Sequence, residues 1–291
     1  EGAEAVADAL QRYVHQGVAI EQALPQEVWP EGPLPGGPMV VRAYFAQTAE
    51  AEHTKQQIRE ALAYLRMTVE TIPEPTFSIV AEEDWADAWK KHYRPVRVGK
   101  RIVVCTAWLE PDAGPEDIVI RMDPGMAFGT GTHPTTQLCL RACEWFCRPA
   151  TTMLDLGSGS GILAIAAARL GCMRVLAREI DPVAVEAAQA NVERNGVSDV
   201  VTVQRGGLEG LVTSARHFDI GMANLTAKII LNLVPQGLQH VIWPGGRFVF
   251  SGIINEQAAD VIDALDGIGL ALEGQRTLGD WVMLITRRRI P

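Results

Sequence analysis

The sequence predicts an α/β protein whose C-terminal half holds a seven-stranded, mainly parallel sheet, preceded by a small α+β domain. Three observations lead there. From Thr151 onward, β-branched apolar runs alternate with amphipathic stretches, the pattern of a parallel sheet covered by helices on both faces. The first of these strands runs into a glycine-rich turn, Asp155-Leu156-Gly157-Ser158-Gly159-Ser160-Gly161, that opens a helix. The chain has 291 residues, 47% of them hydrophobic, enough for two cores.

The elements follow in order. Ala3–Val14 reads as an amphipathic helix, and Val18–Glu21 and Met39–Phe45 as strands rich in β-branched residues. Between them, Pro25–Pro38 carries five prolines and three glycines, which excludes a regular element. Glu50–Arg66 then predicts a helix and Thr76–Val80 a strand. Together these make a split βαβ, ferredoxin-like unit if one more strand precedes Glu1. Asp84–His92, with Trp85 and Trp89 on one helical face, leads through strands at Ile102–Thr106 and Ile118–Met122 into the second domain. The expected division is 1–80, a linker with connecting strands at 81–120, and a catalytic domain at 121–291.

In that domain the expected strands are Thr152–Leu156, Arg174–Glu179, Val200–Gln204, Phe218–Ala223, Gly246–Ser251, Leu270–Thr277 and Val282–Thr286. Helices are expected at Ile162–Leu170, Pro182–Asn195, Thr226–Val241 and Glu256–Ile268. Asp181-Pro182 caps and opens the second of these, and Asn195-Gly196 closes it.

Composition narrows the function. No run of about 18 apolar residues is present, and Glu1-Gly2-Ala3-Glu4 lacks the basic start of a secretion signal, so a cytoplasmic location is expected, with no membrane partner. Five cysteines without a CxxC pair suggest free thiols. A formal charge of -9 argues against stable nucleic-acid binding and suits a basic protein partner.

The glycine turn carries the strongest chemistry. Gly157, Gly159 and Gly161 remove Cβ atoms where backbone must approach a ligand, with Asp155 at the strand end beneath them. A dinucleotide fingerprint needs glycine at the sixth position from Gly157, where Ile162 stands, so the spacing favours S-adenosylmethionine over a dinucleotide and disfavours a nicotinamide-dependent dehydrogenase. Glu179 ends the next strand, at the offset where an acidic side chain accepts both hydroxyls of a ribose; Asp181 competes for that role but also suits a helix cap. Asn224 ends the fourth strand in Ala223-Asn224-Leu225-Thr226, where an amide can orient a nucleophile or cap a helix. No Asn-Pro-Pro-aromatic run accompanies it, so nothing there stacks on a nucleobase, and an aliphatic amine is the expected acceptor.

Asp123–Thr136 is a loop feeding a helix. Pro134 suits the first helical position, with His133 or Thr132 as cap and Thr135 and Thr136 in a first turn able to hold a carboxylate. His133 reads as a cap before a general base. Cys139, Cys143 and Cys147 share one helical stripe, where burial is the stronger reading and no metal site is expected.

From Asp84 onward the chain resembles the ribosomal protein L11 methyltransferase family, PrmA. The resemblance rests on DWADAWKKHYRPVRVGK, on DPGMAFGTGTHPTT, on LDLGSGSGILAIAA and on EIDPVAVEAAQANVERNGV. It implies a class I methyltransferase fold, Rossmann-like, and transfer of methyl groups from S-adenosylmethionine to lysine or N-terminal amines of a large-subunit ribosomal protein. It also implies cofactor contacts at Thr136, Gly157, Glu179 and Asn224, Phe128 in the active-site loop, and a substrate-recognition role for residues 1–80. The chain departs from the family by having Glu179 in place of the usual Asp, and by lacking an acidic residue in Arg205-Gly206-Gly207-Leu208.

Overall fold

The computed structural model describes residues 6–7, 9–10, 13–14, 18–22, 39–43, 45, 51–66, 72–78, 94–122, 131, 133–214 and 216–290. The expected helix at Asp84–His92 and residue Phe128 lie outside them. The chain divides into two compact units, Glu1–His92 and Tyr93–Pro291.

In the first unit, β1 (Val18–Gln22) pairs antiparallel with β2 (Met39–Ala43). Helix α1 (Ala51–Leu65) buries Ala51, Ile58 and Leu62, a stripe at helical spacing. Ile58 and Leu62 join Val6, Leu10 and Val14 in one apolar cluster, with Val41, Phe45 and Phe77 packed against it. The strand expected at Thr76–Val80 is absent from its described part: residues 72–78 form neither helix nor strand. At the start of that segment the carbonyls of Ile72 and Pro73 accept from the Arg66 guanidinium at 2.9 and 2.7 Å.

The second unit begins with a three-stranded sheet. β3 (Val96–Val98) runs antiparallel to β4 (Ile102–Thr106), which runs parallel to β5 (Ile118–Met122). These strands fall where the sequence suggested a linker at 81–120, yet they belong to the larger unit. Long-range polar contacts explain this. The Glu144 carboxylate accepts from the amides of Lys100, Arg101 and Ile102, at 2.6–3.1 Å. The Asn195 side chain pairs with both backbone groups of Arg121, Oδ1 accepting at 2.9 Å and Nδ2 donating at 2.7 Å.

The main sheet and its helices continue through α2 (Pro134–Phe146), β6 (Thr152–Leu156), α3 (Ile162–Arg169), β7 (Arg174–Glu179), α4 (Pro182–Arg194), β8 (Val201–Arg205), β9 (Phe218–Asn224), α5 (Ala227–Leu233), β10 (Ile242–Ile254), α6 (Ala258–Gly267), β11 (Leu270–Leu278) and β12 (Trp281–Arg288). The seven strands lie in the order β11-β12-β10-β9-β6-β7-β8. β12 alone runs antiparallel to its neighbours, while β10, β9, β6, β7 and β8 pair in parallel. Chain order reverses at β6: its helix leads outward to β7, and the sheet resumes on the other side at β9. The carboxyl ends of β6 and β9 flank that switch point, the place where open α/β sheets bind ligands.

Two elements differ from expectation. The helix expected over Thr226–Val241 stops at Leu233 and breaks into two 3-10 turns, because Pro235 supplies no amide donor and Gly237 adopts φ +88°. β10 starts at Ile242 rather than Gly246. Its register on β9 jumps between Ile242 and Arg247, so Trp243–Gly246, which reads as a turn, forms an irregularity inside a strand.

Both faces of the sheet are packed. Leu154, Phe218, Phe248, Phe250, Ile253 and Leu284 are buried on one cluster with Ile230, Val261 and Leu265 from the helices. Each such side chain contributes about 1.5–3 kcal/mol on burial. The five cysteines are free and buried, and Cys143 Sγ lies 3.5 Å from Met222 Sδ, so the stripe on α2 is core. No described helix is long and apolar enough to cross a membrane.

Candidate active site

The glycine turn is sewn to the end of β7. The amides of Gly157 and Ser158 donate to Arg178 O at 2.8 and 3.0 Å, and the amide of Gly159 donates to Glu179 Oε2 at 2.9 Å. Gly157 and Gly161 both take positive φ, +75° and +81°. A Cβ on Gly157 would stand 2.5 Å from Leu225 Cδ2, just past β9, and one on Gly161 would stand 3.2 Å from the Cβ of Ala188 on α4. The missing side chains therefore admit neighbouring protein.

Glu179 is held by the main chain around it. Oε1 accepts from the amides of Ile180 and Asp181 at 2.7 and 3.0 Å, while Oε2 holds Gly159. The longer glutamate side chain thus folds back on its own strand end and still reaches the glycine turn. Asp181 takes the competing role: its Oδ1 accepts from Val183 N at 2.9 Å and caps α4 ahead of Pro182.

Asp155 lies beneath the turn with no solvent exposure. One carboxyl oxygen, Oδ2, accepts from Ala164 N in the first turn of α3 at 3.1 Å, and the other, Oδ1, has no partner among the described residues. Burial pushes this carboxyl up to about 7; the Ala164 amide opposes that rise, and the nearby Glu179 charge adds to it.

Beside the end of β9, α2 presents its N-terminus. His133 is the cap, its Nδ1 accepting from Thr135 N at 3.3 Å and lying 2.7 Å from Thr135 Oγ1, while its ring meets Trp281 edge-on at 5.0 Å. Thr136, almost fully buried, lies 3.5 Å through Oγ1 from Asn224 Nδ2, at the long limit of a hydrogen bond. Asn224 ends β9 opposite Ser251 of β10. The fold therefore gathers Asp155, Gly157, Gly159 and Gly161 from the β6 turn, Glu179 from β7, Asn224 from β9 and Thr136 from α2 at the carboxyl ends of adjacent strands.

Three contributors were hidden in the sequence. Leu225 presses on Gly157, and Trp281 meets His133; neither pairing has a local signal. Arg178 braces the segment after β8, donating to Gly207 O at 3.1 Å and Glu209 O at 3.2 Å. Gly206 takes φ +133° with its missing Cβ 2.4 Å from Arg178 Nη2, so the run without an acidic residue is shaped around a guanidinium.

A profile of the ribosomal protein L11 methyltransferase (PrmA) family matches residues 1–289. The chain belongs to that family. Ribosomal protein L11 methyltransferase of Chloroflexus aurantiacus is 42% identical over 99% of this chain and 95% of its own length. The protein of that name from Pelotomaculum thermopropionicum is also 42% identical, over the same shares of both chains. A crystal structure of ribosomal protein L11 methylase from Lactobacillus delbrueckii subsp. bulgaricus superposes with a TM-score of 0.62 at 34% identity, covering 68% of this chain and all of that one. Membership in the ribosomal protein L11 methyltransferase family thus extends over the N-terminal unit, where the sequence motifs alone were weak.

Proposed function

We propose that this protein transfers methyl groups from S-adenosylmethionine to lysine or N-terminal amines of ribosomal protein L11. The observation that carries the reading is the Glu179 carboxylate at the end of β7, bound to the glycine turn of β6, with Asn224 at the carboxyl end of the strand on the other side of β6. The residues present suit this cofactor. Glu179 offers a carboxylate at the place for a ribose diol and the orphaned Asp155 oxygen offers a counter-charge, while Ile162, the first residue of α3, stands where a dinucleotide turn carries its third glycine.

When bound, the sulfonium cofactor supplies an electrophilic methyl group. The protein's own work is positioning. Glu179 would accept the ribose hydroxyls, Gly157, Gly159 and Gly161 shape the turn, and the first turn of α2 at Thr136 would face the cofactor's carboxylate, the Thr135 amide being already taken by His133. Asn224 directs its Nδ2 toward Thr136, which leaves Oδ1 to accept hydrogens of the substrate amine and aim its lone pair. A neutral amine is required: an α-amine ionises near about 8 and a lysine near about 10.4, so lysine needs desolvation in the cleft. Phe128, outside the described residues, is assigned to the active-site loop on the family resemblance. The same resemblance supports a substrate-recognition role for residues 1–80.

Mass spectrometry of ribosomal proteins incubated with the enzyme and isotope-labelled S-adenosylmethionine tests the reading. Label on amines of L11 is expected. Label confined to RNA or to a metabolite would overturn the substrate, and absence of any transfer would overturn the activity.

A further inference from the structure

Asp155 is a buried acid that the positioning chemistry above leaves half unused. It has no exposure, one oxygen bound to Ala164 N, and one oxygen without a partner among the described residues. The groups facing it are the Glu179 carboxylate on β7 and the thiols of Cys139 and Cys143 on α2. Its strand neighbours are Ala177 on β7 and Met222 on β9, and α3 contributes only the Ala164 amide. None of these is a cation. A single amide and the N-terminal end of α3 are too little to hold a charged carboxylate in a dry site.

We propose that Asp155 is protonated in the cofactor-free protein and gives up that proton as the cationic cofactor enters, so that binding expels one proton. This rests on the reading of the cleft as a sulfonium-cofactor site. The balance is simple: a neutral carboxylic acid and a cationic ligand become an ion pair, and the proton leaves to solvent. The sulfonium and α-ammonium groups bring positive charge beside two carboxyls, Glu179 and Asp155, whose mutual repulsion keeps Asp155 from ionising while that charge is absent. Opposite charge favours the ionised form, and that preference appears as affinity. Because the acid ionises at about 7 without the ligand, cofactor affinity is full above neutrality. Below that it weakens as the carboxyl must first be stripped of its proton, by about tenfold for each pH step in the one-proton limit.

Calorimetric titration of the full chain with S-adenosylmethionine tests this, run near about pH 6 in phosphate and in a buffer of high ionisation enthalpy. The expected result is a buffer-dependent enthalpy equal to about one released proton, with affinity about tenfold weaker near pH 6 than near pH 8. Asp155→Asn keeps the oxygen that receives the Ala164 amide and should bind without proton release or pH dependence. Should that variant fold poorly, infrared difference spectra of the wild type serve instead: the protonated-carboxyl band should vanish on cofactor addition. Identical enthalpies in both buffers, the same proton count in Asp155→Asn, or no loss of the carboxyl band would overturn the inference. Absence of cofactor binding at any pH would overturn the cofactor assignment itself, a distinguishable failure.

Discussion

Asn224 at the end of β9 and Thr136 in the first turn of α2 meet across 88 positions of sequence, Nδ2 to Oγ1 at 3.5 Å. The contact fixes which end of the amide faces Thr136. Asn224→Ala should lower the rate of methyl transfer by about 10²-fold or more, the usual cost of a misplaced reactant, with cofactor affinity affected far less. Thr136→Val keeps the shape and frees the amide to turn, so single-turnover rates should fall by about tenfold, in keeping with loss of one neutral hydrogen bond. A larger effect from Thr136 than from Asn224 would reverse their order in the mechanism.

Glu179 and Asp181 separate cleanly in their contacts and should separate in their phenotypes. Glu179→Ala removes a carboxylate that also organises Gly159, and should weaken S-adenosylmethionine binding by about 1.5–3 kcal/mol. Asp181→Ala removes the α4 cap and should cost about 1 kcal/mol of stability, read from urea midpoints, with cofactor affinity largely kept. Swapped outcomes would move the ribose contact to Asp181.

Asp155 gives the cofactor-free protein a pH signature. The folded carboxyl ionises at about 7 against 3.8 for the free side chain, so between those values the folded state holds a proton that the unfolded state has lost. Stability from this group is therefore complete at low pH and falls as pH rises toward 7, by roughly 4 kcal/mol if the whole displacement is expressed. Urea unfolding near about pH 5 and about pH 8 should show the decline in the wild type and a flatter profile in Asp155→Asn. A wild-type stability that rises over this range would mean the carboxyl is ionised throughout.

The two units offer a test of substrate recognition. A chain of residues 93–291 keeps β3–β5 and every described cleft residue, whereas a cut at residue 120 would discard the strands held by Glu144 and most of β5 beside Asn195. The 93–291 chain should bind S-adenosylmethionine and lose most methylation of L11. Full methylation by the shortened chain would remove the recognition role from the N-terminal unit.

Much of the cleft was legible because its signals are local. Asp181-Pro182 and Asn195-Gly196 punctuate α4 within a few residues of where they act, and the glycines of the β6 turn announce their backbone in the sequence. The remainder depended on partners far apart in the chain. Nothing near Gly157 reports that Leu225 fills the space of its missing Cβ, so Gly157→Val strains the backbone and collides with Leu225, just past β9. The end of α5 was written in Pro235 and Gly237, but the apolar period running through Leu238 and Val241 masked it. β10 was shortened for the opposite reason: Pro244-Gly245-Gly246 has turn chemistry, yet it sits within a paired strand.

Asn195 reads the main chain of Arg121, giving and receiving one hydrogen bond as a neighbouring strand would. The identity of the side chain at position 121 does not enter that exchange. Replacement at residue 121 should therefore cost only what its guanidinium contributes by donating to Leu109 O and Glu110 Oε2, at 2.6 and 2.9 Å, whereas residue 195 tolerates very little, since even aspartate offers no donor for the carbonyl. A saturation library over the two positions should find this asymmetry: a more permissive site and an exacting one, joined by the same pair of bonds.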